Sequence, residues 1–164
     1  MSKWEASGKS DEWFTPAYIM DALGCRFDLD VAAPIDGPRH LFSYNWYHRI
    51  DRSLSRRWYG FVWMNPPYGG RKALMPWVQK FITHGNGIAL LPDRTSAPWF
   101  KPLAQADALC FVHSKIKFER PDGTLGESPG NGSVLVACGE KAELALMRAN
   151  GVIGWTMTPI GIAA

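Results

Sequence analysis

Cysteine is scarce in this chain and wrongly arranged for structural chemistry. Cys25, Cys110 and Cys138 are odd in number and far apart, which excludes both a disulfide framework and a zinc site and predicts reduced thiols. Histidine offers no metal centre either, because His40, His48, His84 and His113 are scattered. No run approaches the ~20 apolar residues of a membrane-spanning helix. The first ten residues carry Lys3, Glu5 and Lys9 without an apolar stretch, so a secretory leader is not expected and the chain reads as cytoplasmic. No Gly-x-Gly loop follows the first apolar strand, so the usual dinucleotide fingerprint is missing. Internal repeats, linkers and low-complexity tracts are also lacking.

What remains is a chain of 164 residues, 46% hydrophobic and 20% charged. That is enough for one domain with a full core over 1–164, in which 1–10 is read as a flexible start. It is too short for a catalytic domain plus a large recognition domain. A net charge of +3 is compatible with a nucleic-acid partner. Eight Trp and five Tyr say more, because these side chains suit sites that are part apolar and part wet.

Apolar periodicity and punctuation predict the elements. Thr15 as N-cap, Pro16 as first helical residue and Gly24 as stop delimit a short helix. Phe27 to Val31 reads as a strand with Phe27, Leu29 and Val31 on one face and Asp28 and Asp30 on the other. Further strands are expected at 60–64, 88–91, 109–112, 115–118, 134–138 and 153–158. Helices are expected at 73–84, at about 95–106 after a Thr95 or Ser96 cap, and at 141–150. Residues 34–59 show no clear period and read as a helix or loops, and 120–132 as a loop. Trp77, Trp99 and Trp155 read as core. The alternation argues for an α/β sheet covered on both faces.

The segment Asn65-Pro66-Pro67-Tyr68 follows the apolar run Phe61-Val62-Trp63-Met64, and few chemistries want that combination at a strand end. An exocyclic amine such as the N6 of adenine is a poor nucleophile, since its lone pair is delocalised into the ring. The Asn65 side-chain oxygen and the Pro66 carbonyl can each accept one N–H, which localises that lone pair toward a methyl donor. Pro66 and Pro67 restrict φ and remove two donors, leaving the turn little freedom. Tyr68 can stack on a base flipped out of the duplex, an interaction worth roughly 1–3 kcal/mol. A plain strand-ending turn would also use Asn and Pro. The tetrapeptide does not name the acceptor, which can be adenine in DNA or RNA, or a glutamine side chain in a protein.

Asp28 and Asp30 stand on an otherwise buried strand, and buried acids need partners. A ligand at the strand's C-terminal end would supply them. A pair of magnesium ligands in a nuclease would need further carboxylates, and no good third one is offered. The stretch Trp46 to Trp58 interleaves aromatics with Arg49, Arg52, Arg56 and Arg57, which suits phosphate contact with stacking groups as well as an ordinary solvated face. Asp93 and Arg94 close a strand where α/β sheets place ligands. Arg94 and Lys117 join the candidate DNA contacts, and Phe118 is a candidate second wall for the base.

Six segments, DEWFTP at 11–16, FDLDVAA at 27–33, VWMNPPYG at 62–69, LLPDRTSAPWF at 90–100, KIKF at 115–118 and GSVLV at 132–136, together resemble the phage and prophage DNA N-6-adenine-methyltransferases of the Dam type. The resemblance implies a small Rossmann-like class I methyltransferase with a mostly parallel twisted sheet, using S-adenosylmethionine to methylate the N6 of adenine in DNA. It implies that Trp13, Thr15 and Pro16 pack against the methionine end of the cofactor. It implies also that Asp30, with Ala32 and Ala33 behind it, forms the first cofactor loop, with Asp28 at the same pocket and Asp51 facing the cofactor's adenine. Residues 34–57 match the family poorly, and KIKF lacks the expected glycine-arginine start. A methyltransferase of RNA or protein glutamine, and a catalytically silent DNA-binding relative, remain as alternatives.

Overall fold

The computed structural model describes residues 12–69 and 72–159, apart from the side chain of Arg49; the expected flexible start at 1–10 lies outside them. Seven strands form one sheet: β1 (Phe27–Ala33), β2 (Ser43–His48), β3 (Val62–Met64), β4 (Gly87–Pro92), β5 (Ala108–Val112), β6 (Ser133–Cys138) and β7 (Gly154–Met157). Their spatial order is β2-β1-β3-β4-β6-β5-β7. Among the described residues three α-helices accompany them, α1 (Ala17–Leu23), α2 (Leu74–His84) and α3 (Glu140–Ala149), with a 3-10 helix at Pro98–Gln105.

The sheet is mixed, which corrects the expectation of a mostly parallel one. β2, β1, β3 and β4 pair in parallel, whereas β6 is antiparallel to both β4 and β5, and β7 is antiparallel to β5. Parallel neighbours need a crossover, usually a helix. The stretch 113–132 between β5 and β6 contains no helix, so β6 returns beside β5 in the opposite direction.

Side-chain alternation along the strands builds two apolar layers. On β4, Ile88 and Leu90 join Ile19 and Leu23 of α1 and Ala145 and Leu146 of α3. Ala89 and Leu91 join Val78 and Phe81 of α2 and Trp99 and Leu103 of the 3-10 helix on the other face. Helices therefore cover both faces, as the alternation of elements implies. Phe27 departs from the one-face pattern. It stacks on Phe61 in the layer of α1 and α3, whereas Leu29 and Val31 face α2.

Other local expectations change for physical reasons. Thr15 does not cap α1: Pro16 is the N-cap with ψ at 151°, and no side chain caps the helix, while Gly24 ends it at φ 58° as expected. Residues 43–48 form an edge strand, unexpected because its exposed aromatics Tyr44 and Trp46 hide any apolar alternation. The helix expected at 95–106 is a 3-10 helix with Pro102 inside it, a residue that removes an α-helical donor. KIKF forms no strand. Its neighbour Glu119 makes isolated bridges to Phe14 and Leu125. Trp99 is buried and Trp77 packs partly on the core, but Trp155 is 62% exposed on the edge strand β7. Cys110 and Cys138 are buried, and burial pushes the Cys138 thiol up to about 12, with Asp107 adding to the effect. Such thiols are poor nucleophiles.

Candidate active site

The strand directions bring most of the sequence-derived candidates to one edge of the sheet. Ala32 and Ala33 end β1, Arg49 to Arg56 follow β2, Asn65 to Tyr68 follow β3, and Asp93 and Arg94 follow β4. β5 is antiparallel to β6, which is antiparallel to β4, so β5 runs with β4 and delivers Lys115 to Phe118 to the same edge. Ligands of open α/β sheets bind in this place, outside the carboxyl ends of the strands.

A cleft opens there, lined among others by Trp13, Thr15, Asp30, Ala32, Trp63 and Asn65. Its floor follows from register. Asp30 is paired with Trp63 on the neighbouring strand, and Asn65 lies two residues beyond Trp63, on the same face. Thr15 comes from fifty residues upstream, and its hydroxyl accepts the Asn65 Nδ2–H at 3.3 Å. Pro66 is buried, Pro67 is exposed, and Asn65 is half-buried.

Asp30 is 4% exposed. Its Oδ1 accepts the Ala32 N–H at 3.0 Å, which favours the charged form. Burial outweighs that bond and raises the carboxyl to about 7. A carboxylate so held gains from any cationic or donor group entering the cleft.

Asp28 takes a different place from Asp30. Its Oδ2 accepts the Phe61 N–H at 2.7 Å, and its own N–H donates to the Phe61 carbonyl at 2.8 Å. Gly60, at φ 62°, makes room, since a Cβ there would stand 2.3 Å from Asp28 Oδ2. Asp28 thus holds the entry to β3 and does not line the cleft. Asp28→Ala is expected to cost about 1–3 kcal/mol of unfolding free energy by stranding the Phe61 N–H, with ligand affinity at the cleft unchanged; chemical denaturation alongside calorimetry checks both.

Asp51 also stands outside the cleft lining, just past β2. Its Oδ2 accepts the His48 N–H at 3.0 Å, and its Oδ1 lies 3.4 Å from the Arg56 guanidinium. Arg49 opens the short turn Arg49–Asp51, and Arg52 is exposed at φ 51°. Trp58 leaves the proposed stacking stretch altogether: it is buried, with its Nε1–H donating to the Ser53 carbonyl at 3.1 Å. Lys80 of α2 fastens the same segment by donating to the carbonyls of Ser53, Leu54 and Arg56. Arg52, Arg56 and Arg57 are therefore displayed from an anchored turn.

Tyr68 is tethered too. Its hydroxyl donates to the Leu90 carbonyl at 3.3 Å, and burial raises its pKa well above the phenol range. The ring packs partly against the layer of α2. Lys117 and Arg94 are exposed, while Phe118 is half-buried against the layer of α1 and α3.

Sequence reasoning missed one wall of the cleft, Pro34, Pro38, Arg39, His40 and Leu41. The Arg39 guanidinium donates to the carbonyls of Arg120 and Pro121 at 3.1 and 2.7 Å and lies over the Phe14 ring at 3.9 Å. Glu119 faces both Arg39, at 3.7 Å, and His40, at 2.9 Å. These links join segments 81 and 79 residues apart, and no local pattern announces them.

Among the described residues, no group of three His, Cys, Asp or Glu is placed to hold a metal ion, and no helix is long and apolar enough to cross a membrane.

The family model described as DNA N-6-adenine-methyltransferase (Dam) matches residues 3–149. A curated relative from Escherichia phage T1, itself named DNA N-6-adenine-methyltransferase, is 32% identical over 103 residues, 58% of this chain and 41% of the relative. The chain thus spans under half the length of that relative. No solved structure matches.

Proposed function

Because this chain belongs to the DNA N-6-adenine-methyltransferase (Dam) family, we propose that it methylates the N6 of adenine in DNA, with S-adenosylmethionine as donor. The observation that carries the reading is the convergence of Asn65, Thr15, Trp13 and the buried Asp30 on one cleft at the carboxyl edge of the sheet. A Rossmann-like methyltransferase architecture is part of the proposal. Four parallel strands and a reversed β6 lying between β4 and β5 support it.

The residues present fit the cofactor. A small side chain at Ala32 lets backbone come close, Trp13 offers an aromatic wall, and the Asp30 carboxylate matches an ammonium group or ribose hydroxyls. Pro16 begins α1 behind Trp13 and Thr15. Asp51, past the end of β2, is the proposed contact for the cofactor's adenine. When bound, S-adenosylmethionine supplies a sulfonium methyl already activated for transfer, so no strong protein base is required.

The chain's own part is to prepare the acceptor. Asn65 Oδ1 and the Pro66 carbonyl each accept one N–H of the target amine and stabilise the positive charge that grows on nitrogen as the new bond forms. Pro66 and Pro67 hold those oxygens with little freedom to lose. Tyr68, pinned at its hydroxyl to β4, presents a fixed ring for the flipped base. Arg49, Arg52 and Arg56 after β2, with Arg94, Lys117 and Phe118 across the same edge, are the proposed DNA contacts. The positive ones act through phosphates, so binding should weaken steeply with salt.

The test is incubation of the protein with labelled S-adenosylmethionine and unmethylated DNA, then nucleoside mass spectrometry. N6-methyladenine is the expected product. Label found only in RNA or in protein would overturn the choice of acceptor.

A further inference from the structure

We infer that Thr15 is a positioning residue that holds the Asn65 amide in the cleft, an inference that rests on the methyl-transfer reading above. The two ends of an Asn side chain have nearly the same shape and opposite hydrogen-bonding character. Its last torsion is broad and roughly two-fold. Only the oxygen end can accept an N–H from an exocyclic amine. The nitrogen end would bring N–H against N–H. A turn that merely contains Asn65 is therefore half specified, and something must hold the amide one way round.

Thr15 holds the side chain: a hydroxyl can serve either end of an amide, and here it meets the nitrogen. It stands immediately before Pro16, where a Thr commonly caps a helix, yet its hydroxyl caps nothing in α1 and accepts Asn65 Nδ2–H instead. With Nδ2 donating to Thr15, Oδ1 is the end left to accept from an incoming N–H. Thr15 is itself held firmly. Phe14 is 5% exposed and exchanges two main-chain bonds with Glu119, at 2.9 and 3.0 Å, and Arg39 covers its ring. On the other side, Pro16 is buried at the start of α1. Thr15 also lines the cleft beside Trp13 and Asp30. Its place in sequence suggests a cofactor contact; its hydroxyl bond places it at the acceptor end as well.

Thr15→Val keeps the branched shape and removes the hydroxyl, and Thr15→Ser restores the hydroxyl. In single-turnover assays Thr15→Val is expected to lower the methyl-transfer rate about 10–100-fold, the scale of a misaligned reacting group. The calorimetric Kd for S-adenosylmethionine should stay within roughly twofold of wild type, because Val keeps the branched shape that packs at the cofactor's end of the cleft and loses only the bond to Asn65. Thr15→Ser should recover most of the rate. Unchanged turnover in Thr15→Val, cofactor affinity falling in step with rate, or no recovery with Ser would each overturn the inference.

A second readout needs no activity. In a nitrogen-15 spectrum the Asn65 side-chain NH2 should exchange slowly in wild type and in Thr15→Ser, and quickly in Thr15→Val. Equal exchange in all three would also overturn it. A wild-type protein that methylates no DNA would sink the functional reading alone, and the Asn65 resonance would still decide the role of Thr15.

Discussion

Asn65→Ala is expected to reduce methylation of unmethylated DNA by about 10²–10³-fold, the usual cost of deleting one oriented acceptor or donor aimed at developing charge. The substitution removes the oxygen that draws the target amine out of conjugation. It leaves the main chain of the turn in place, because Pro66 and Pro67 constrain it independently of the Asn65 side chain. Cofactor affinity measured by calorimetry should therefore hold within roughly twofold, which marks a loss confined to the transition state. Asn65→Asp is the sharper control. A carboxylate accepts as the amide oxygen does, but it loses the N–H given to Thr15 and brings a charge. Normal turnover in Asn65→Ala would reduce the tetrapeptide to a structural turn and end the proposed mechanism.

Asp30→Asn is expected to abolish useful cofactor binding and to make the protein more stable. The sign of the second effect follows from burial, which raises the carboxyl from its ordinary 3.8 to about 7. Between those values the folded state binds more protons than the unfolded one, so stability falls as pH rises through that window. At pH 8 the wild type carries the whole cost of a buried charge, on the order of 4 kcal/mol. Asn avoids that cost and can still accept the Ala32 N–H through its own oxygen. The variant should thus unfold at a higher temperature than wild type at pH 8 and lose that advantage near pH 4. In the wild type, cofactor affinity should weaken as pH drops below about 7, by up to roughly tenfold per unit if Asp30 faces an ammonium group. Calorimetry from pH 5.5 to 8.5 reads this directly. A flat profile would remove Asp30 from the cofactor's charged end.

The legible parts of the fold were those carried by local apolar patterns. β4 and β6 are buried on both faces along their whole length, and such runs announce themselves. α2 and α3 present apolar stripes at helical spacing, and Gly24 and Gly85 end α1 and α2 in the left-handed region. β2 was illegible because an edge strand with exposed Tyr44 and Trp46 has no buried alternation to display. Trp155 and Trp58 exchanged their expected places for a related reason. A tryptophan's size favours burial, but which edge it stands on depends on strand order, and strand order is not a local property.

The candidate site divides in the same manner. Asn65-Pro66-Pro67-Tyr68 and the acids of β1 were legible as candidates from their residue types in short runs, and the motif before α1 through the family resemblance. Their separate jobs were not. Asp28 and Asp30 stand two residues apart on one strand, yet one closes on the Phe61 N–H and the other enters the cleft. Gly60 and the register between β1 and β3 make that division.

By itself, then, the sequence determined the family, the two-layered α/β plan and the tetrapeptide at the end of β3, since all of these are written in neighbouring residues. Tertiary structure alone decided that Thr15 meets Asn65, that Arg39 and His40, paired with Glu119, wall the cleft, and that β6 runs against β4. Each of those depends on contacts between residues dozens of positions apart. Such contacts are selected by the packing of the whole sheet, in which a local pattern has no say.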